Sequence, residues 1–158
     1  MWMCMTTMTP TRKATSSDIA QIRQLLDASG LPSVDFDRHI DHFIVAAEKG
    51  VIIGVVGLEV HGSSALLRSL AVREQNRRTG LGRGLSTAIL AYAESIGIHE
   101  LALLTTTAEG FFATQGFVKV SREEIPAFVK QTEEFKKYCS STAVCMRKEM
   151  AVSFCDWR

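Results

Sequence analysis

Residues 77–85 read RRTGLGRGL, three arginines and three glycines in nine positions, shortly after the apolar run ALLRSLAV. Guanidinium groups beside backbone N–H groups that no Cβ shields are the chemistry of phosphate binding. The same composition also suits a flexible, solvated turn. A phosphate-cradling P-loop needs a Gly-Lys pair, which the chain lacks, and a dinucleotide fingerprint needs glycine where Leu85 stands. The pattern that fits is R-x-x-G-x-G, from Arg77 through Gly80 to Gly82. If a helix starts at this point, its first N–H groups lack internal partners and its dipole adds about half a positive charge.

Two charged side chains interrupt otherwise apolar runs: Glu59 in VVGLEV and Arg68 in LLRSLAV. Charges stand inside such strands when they are paired or functional. Arg68 could grip a carboxylate and Glu59 could take a proton, directly or through water. A structural Glu59–Arg68 ion pair is the other reading. Strand alternation puts positions 66, 68, 70 and 72 on one sheet face. The cluster Asp35, Asp37, His39, Asp41 and His42 has the residue types of a zinc site, but reads as a solvated acidic loop. His61 beside Gly62 reads as a turn residue, and His99 as the start of a strand. Cys4, Cys139, Cys145 and Cys155 match no zinc spacing, so no metal is expected.

The elements that must position these residues follow from period and punctuation. TRKATSSD is a short strand running into a helix start with Ser16, Ser17 or Asp18 as cap. Ile19, Ile22, Leu25 and Leu26 form one helix face, stopped by Gly30. LPSVDFDRH is polar and irregular. HFIVAAEKG and VIIGVVGLEVHG form a hairpin about a Lys-Gly turn, and SALLRSLAV is the next strand. Leu81, Leu85, Ala88, Ile89, Tyr92 and Ile96 make a helical stripe. ELALLTTT is a strand, AEGFFATQG a short helix, FVKVS a strand, IPAFVKQTEEFKKY a helix and TAVCMRKEM a closing strand.

Composition bounds the function. The 158 residues suit one domain, with 46% hydrophobic and 22% charged residues. A net charge of +1 gives no electrostatic case for nucleic acid or membrane, so an anion site must be local. No apolar stretch approaches a bilayer span, and the N-terminus lacks the layout of a secretory signal, so a cytoplasmic location is expected.

LLRSLAVREQNRRTGLGRGL, FFATQGF and the order of elements over residues 11–149 resemble the GNAT family of acetyl-CoA-dependent N-acetyltransferases. The resemblance implies an α/β fold: a mixed, mostly antiparallel sheet of six to seven strands, splayed at the acetyl-CoA site and flanked by about four helices. Residues 1–10 and 150–158 would be tails. It implies that backbone groups of Leu70, Ala71 and Val72 run along the pantetheine arm, and that Arg77, Arg78, Thr79, Gly80, Leu81, Gly82 and Arg83 hold the pyrophosphate. Thr105 and Thr106 would border the opening where acetyl group meets amine, with Phe111 and Phe112 near the thioester. Many family members place a tyrosine acid four residues before the Gly of the Gly-Phe pair. Here that slot is Phe112, which cannot donate a proton. Tyr138, Cys139 and Ser141 are alternative donors, and Ser141 could also meet the substrate.

LLTTTAEGFFATQGF and IPAFVKQTEEFKKYCSSTAVCMRK resemble the branch linked with arsenic resistance and, more distantly, the acetyltransferase domain of N-acetylglutamate synthases. An amino-acid acceptor, or an arsenic-containing or phosphinic analogue, is the implied substrate. Acetyl-CoA is the implied co-substrate, and a homodimer is compatible. A non-catalytic acyl-CoA-binding module and a protein or peptide N-acetyltransferase are the competing expectations.

Overall fold

The computed structural model describes residues 9–137 and 143–150. Seven strands form a sheet in the order β1-β2-β3-β4-β5-β7-β6. They are β1 Thr11–Lys13, β2 Phe43–Glu48, β3 Val51–His61, β4 Ser64–Val72, β5 Glu100–Thr105, β6 Val118–Val120 and β7 Val144–Glu149. The β1–β2, β2–β3, β5–β7 and β6–β7 pairs run antiparallel and β4–β5 runs parallel. The helices are α1 Ile19–Ala28, α2 Leu81–Ser95, α3 Glu109–Thr114, α4 Ala127–Lys130 and α5 Glu133–Lys137. None among the described residues is long and apolar enough to cross a membrane.

Two compact units divide the chain: residues up to Gly57 with Ser69–Ile89, and Leu58–Arg68 with residues from Leu90 onward. In the first, α1 buries Ile22, Leu25 and Leu26 against Phe36, Phe43, Val45 and Val55, the stripe that its period requires. Asp18, one of the three candidates, is the N-cap residue of α1, without a side-chain bond onto that helix, and Thr15 is the extended residue before the preceding turn Ser16–Asp18. Asp18 instead reaches back, accepting the Thr15 backbone N–H at 2.8 Å and both terminal nitrogens of Arg12 at 2.8 and 3.0 Å. The segment read as irregular and polar carries a fully buried Phe36, whose ring lies 5.7 Å from that of Phe43 with the Arg23 guanidinium 5.1 Å over it. One aromatic burial, about 1.5–3 kcal/mol, anchors a stretch whose polar residues suggest a loop.

The hairpin turn has both Lys49 and Gly50 at positive φ, the backbone a tight two-residue connection demands. Its register pairs Phe43 with Gly57. A Cβ on Gly57 would stand 2.3 Å from the buried Phe43 ring, so this glycine makes room for the aromatic. The register shifts between Ala46 and Ala47, so Ile53 is skipped in the pairing with β2. The Ile53 carbonyl accepts the Arg73 N–H at 2.8 Å instead.

The second unit buries Leu66, Ala102, Val129 and Cys145, with Leu104, Val120 and Phe128 packed on them. The β5–β7 ladder sets Glu100 opposite Glu149, a repulsive pair that Arg147 offsets by bonding both carboxylates. The single helix expected over IPAFVKQTEEFKKY is two. Thr132 is fully buried, donates to the Val129 carbonyl at 2.7 Å and accepts the Phe135 N–H at 3.1 Å, ending α4 and capping α5. On α2 the buried apolar positions are Leu81, Leu85, Ile89 and Ala93, with Ser86 buried beside them. Ile96 is exposed because the helix stops at Ser95 and the chain turns at Gly97.

Hydrogen bonding from Arg12 and Thr15 holds the Asp18 carboxyl down at about 2, from 3.8. A depressed carboxylate contributes stability that is complete above the unfolded value and lost as pH falls through the folded one. Asp18→Asn is therefore expected to cost about 1–2 kcal/mol at pH 7, given the half-exposed Arg12 partner. Urea titrations of both proteins should converge between about pH 4 and pH 2.

Candidate active site

The Arg/Gly segment lies in the first unit, between β4 and α2. Ser69, inside β4, has a φ of 63°. Such a left-handed residue bulges the strand, so the alternation expected to align positions 66, 68, 70 and 72 is interrupted at 69. Beyond it Ala71 joins the core around α1, while Leu70 and Val72 are half-buried. Residues Glu74–Asn76 make one helical turn. Arg77 then donates from Nε to the Val72 carbonyl at 2.9 Å, and Thr79 donates its hydroxyl to the Asn76 carbonyl at 2.6 Å. Arg78 and Gly80 both adopt positive φ, 66° and 87°.

Gly80 is the cap of α2: its carbonyl accepts the Gly84 N–H at 3.0 Å. The N–H groups of Leu81, Gly82 and Arg83 thus belong to the first turn, which has no internal acceptors. The helix packs closely there because β3 offers Gly54, where a Cβ would come within 2.7 Å of Leu85 and 3.3 Å of Leu81. Among the described residues, a Cβ on Gly82 would meet only Val72 Cγ2, at 3.9 Å. Four arginines and one glutamate lie between residues 73 and 83, with Arg77, Arg78 and Arg83 exposed. Unshielded amides, a helix N-terminus and surplus positive charge coincide, and a pyrophosphate fits them. Arg77 also closes the loop through Val72, a role that its charge pattern does not reveal.

The second unit brings Glu59 and Arg68 together. Arg68 donates to Glu59 Oε1 at 3.2 Å, with both side chains buried. The structural ion pair anticipated as an alternative is thus present. It has a third member that the sequence reading assigned to the turn. His61, the last residue of β3, sets Nε2 2.7 Å from Glu59 Oε2, and its ring lies 5.6 Å from that of Phe128. The i, i+2 spacing of Glu59 and His61 on one strand face was the available signal. His99 does stand at a strand entrance, donating its N–H to the Ser63 carbonyl at 2.7 Å before β5 begins.

At the end of β5, Thr105 Oγ1 accepts the Ala108 N–H at 2.9 Å ahead of α3, and Thr106 is exposed. The β4–β5 ladder covers only Ser64–Leu66 and Glu100–Ala102, and β5 continues to Thr105 beyond it. Phe112 is buried, edge-on to Phe111 at 5.1 Å and Phe117 at 5.7 Å. Its ring holds α3 against the following strand. Burial first and the Glu100 charge second push the Cys145 thiol up to about 11, so it stays protonated and unreactive at neutral pH. Tyr138, Cys139 and Ser141, with Cys4 and Cys155, lie outside the described residues.

A family model described as "Acetyltransferase (GNAT) domain" matches residues 39–119. An uncharacterized N-acetyltransferase of Chlorobaculum tepidum is 36% identical over 90 residues, which are 56% of this chain and 57% of that one. The amino-acid acetyltransferase of Ralstonia nicotianae is 31% identical over 124 residues, 73% of this chain but 28% of that protein. Among solved structures, N-acetylglutamate synthase from Neisseria gonorrhoeae, complexed with coenzyme A and N-acetyl-glutamate, superposes with a TM-score of 0.77 at 25% identity. That match covers 90% of this chain and 35% of the synthase. The chain thus spans little more than half the length of one curated relative and under a third of the other.

Proposed function

Because the chain belongs to the acetyltransferase (GNAT) family, we propose that it transfers the acetyl group of acetyl-CoA to the primary amine of a small molecule, an amino acid or amino-acid analogue. The observation that carries this reading is the cradle at Gly80–Arg83, where capped backbone, open space above Gly82 and exposed arginines suit a pyrophosphate. An amino-acid acceptor is supported by the amino-acid acetyltransferase and the N-acetylglutamate synthase to which the chain is similar. Arsenic-containing and phosphinic amino acids belong to the same class, through the resemblance of the α3 region.

In this reading Arg77, Arg78, Thr79 and Arg83, with the amides of Gly80, Leu81 and Gly82, bind the pyrophosphate. The backbone of Leu70, Ala71 and Val72 follows the pantetheine arm. Bound acetyl-CoA supplies an acyl carbon activated as a thioester, and the protein contributes placement and removal of the amine proton. Glu59 serves proton removal, and Arg68 carries the acceptor carboxylate while holding Glu59. Thr105, Thr106 and Phe111 border the acyl end.

Phe112 favours a second reading, a non-catalytic acyl-CoA-binding module, because its buried ring supplies no acid for the departing thiolate. A free-thiol assay with acetyl-CoA over amino acids and their phosphinic and arsenic analogues separates the two. Acceptor-dependent thiol release is expected. Tight acetyl-CoA binding without release for any amine would leave the binding module, and release only with peptides would move the acceptor to proteins.

A further inference from the structure

Within the proposed amine acetylation, on which this inference rests, a base with an accessible lone pair must receive the amine proton. In the Glu59–His61–Arg68 trio the hydrogen bonds assign the lone pairs. Glu59 Oε1 accepts from Arg68, and Oε2 lies 2.7 Å from His61 Nε2. An ionised carboxylate only accepts, so Nε2 carries the hydrogen and the unprotonated lone pair of a neutral ring is on Nδ1. Exposure points the same way. The His61 side chain is 29% exposed, against 6% for Glu59 and 0% for Arg68. Arg68 offers donors only. Phe128, the ring against His61, does not titrate and restrains the imidazole's tilt.

We propose that His61 is the proton acceptor of the reaction and that Glu59 is the residue that positions it. An N–H bond of the acceptor's ammonium group breaks and the proton joins Nδ1, directly or through one water. The electron pair left on nitrogen attacks the thioester carbonyl and forms the C–N bond. The C–S bond then breaks with its pair leaving on the CoA thiolate, which takes its proton from solvent. Nε2 keeps its hydrogen on Glu59, whose charge stabilises the imidazolium while Arg68 steadies the carboxylate. The ring then returns the proton to solvent, to which it is already open. The arrangement follows the logic of a carboxylate-oriented histidine base.

The test uses acetyl-CoA and the panel amino acid with the highest wild-type turnover. His61→Ala and His61→Gln should each lower kcat by about 100-fold or more, leaving KM for acetyl-CoA within about twofold. Imidazole added to His61→Ala should restore kcat saturably, which a structural role does not predict. Glutamine retains a donor to Glu59 and preserves the fold, so its loss of turnover reports the missing base. Glu59→Gln, with an amide oxygen still able to accept from Nε2, should lose less than either. Wild-type kcat in His61→Gln, or a loss in His61→Ala that imidazole does not repair, would overturn the assignment. A larger loss in Glu59→Gln than in His61→Gln would return the base to Glu59 and leave the acetyltransferase reading standing. Absence of acetylation by the wild type with every amine would overturn that reading and this one together.

Discussion

Arg68→Met is expected to lower folding stability by about 3–5 kcal/mol, because it leaves Glu59 buried beside a histidine without its guanidinium partner. In a chain of 158 residues this is a fall in melting temperature on the order of 10 °C. Methionine keeps much of the side-chain volume, so the loss reports charge more than cavity. The Glu59→Gln/Arg68→Met double variant should recover part of the loss, since it removes the stranded carboxylate, and the double-mutant cycle measures that coupling. Acceptor kinetics on the surviving protein test the second role proposed for Arg68. A charge-assisted bond to the acceptor carboxylate is worth about 1.5–3 kcal/mol, so KM for an amino acid should rise roughly 10- to 100-fold. The rise should vanish for the same amine with its carboxylate amidated. A stability loss with equal kinetics on both acceptors would confine Arg68 to the ion pair. An unchanged melting temperature would contradict the buried pair itself.

Gly82→Val is expected to weaken acetyl-CoA binding by about 10- to 100-fold, with little change in melting temperature. The reasoning depends on what surrounds the position. Among the described residues an added Cβ meets only Val72 Cγ2, at an ordinary 3.9 Å, which leaves room there for a side chain. Helix propensity changes by only a few tenths of a kcal/mol. A branched side chain there would still keep phosphate oxygens from the first-turn amides, forfeiting charge-assisted bonds worth about 1.5–3 kcal/mol. Gly80 is a poorer probe, since its φ of 87° strains any replacement whether or not ligand binds. Calorimetry finding wild-type affinity in folded Gly82→Val would remove the loop from the site.

Much of the architecture was legible because its causes are local. Gly30, Gly50 and Gly97 all adopt positive φ where the pattern called for stops and turns, a conformation glycine takes at no steric cost. The period of Ile22, Leu25 and Leu26 fixes which face of α1 is buried, whatever it packs against. The pattern R-x-x-G-x-G marked a helix start, and the amides of the first turn lack internal acceptors at every such start. Phe112 in the slot where many family members carry tyrosine is a departure that the residue type alone shows.

Other features depend on which distant residue a strand or side chain meets, and no window of sequence contains that information. Thr132 looks like an ordinary helix residue until burial leaves its hydroxyl only backbone partners, and the helix divides there. Ser69 takes a left-handed backbone without a glycine to announce it. Gly54 and Gly57 are unremarkable letters in an apolar run, yet their missing Cβ atoms admit Leu85 and the Phe43 ring. The charged trio is the clearest case. Sequence alone identified Glu59 and Arg68 as costly to bury, since that cost follows from residue type. His61 meets the other carboxylate oxygen from two places along the same strand, but only the approach of β4 and the docking of α4 could bring Arg68 to Glu59 and Phe128 to the imidazole.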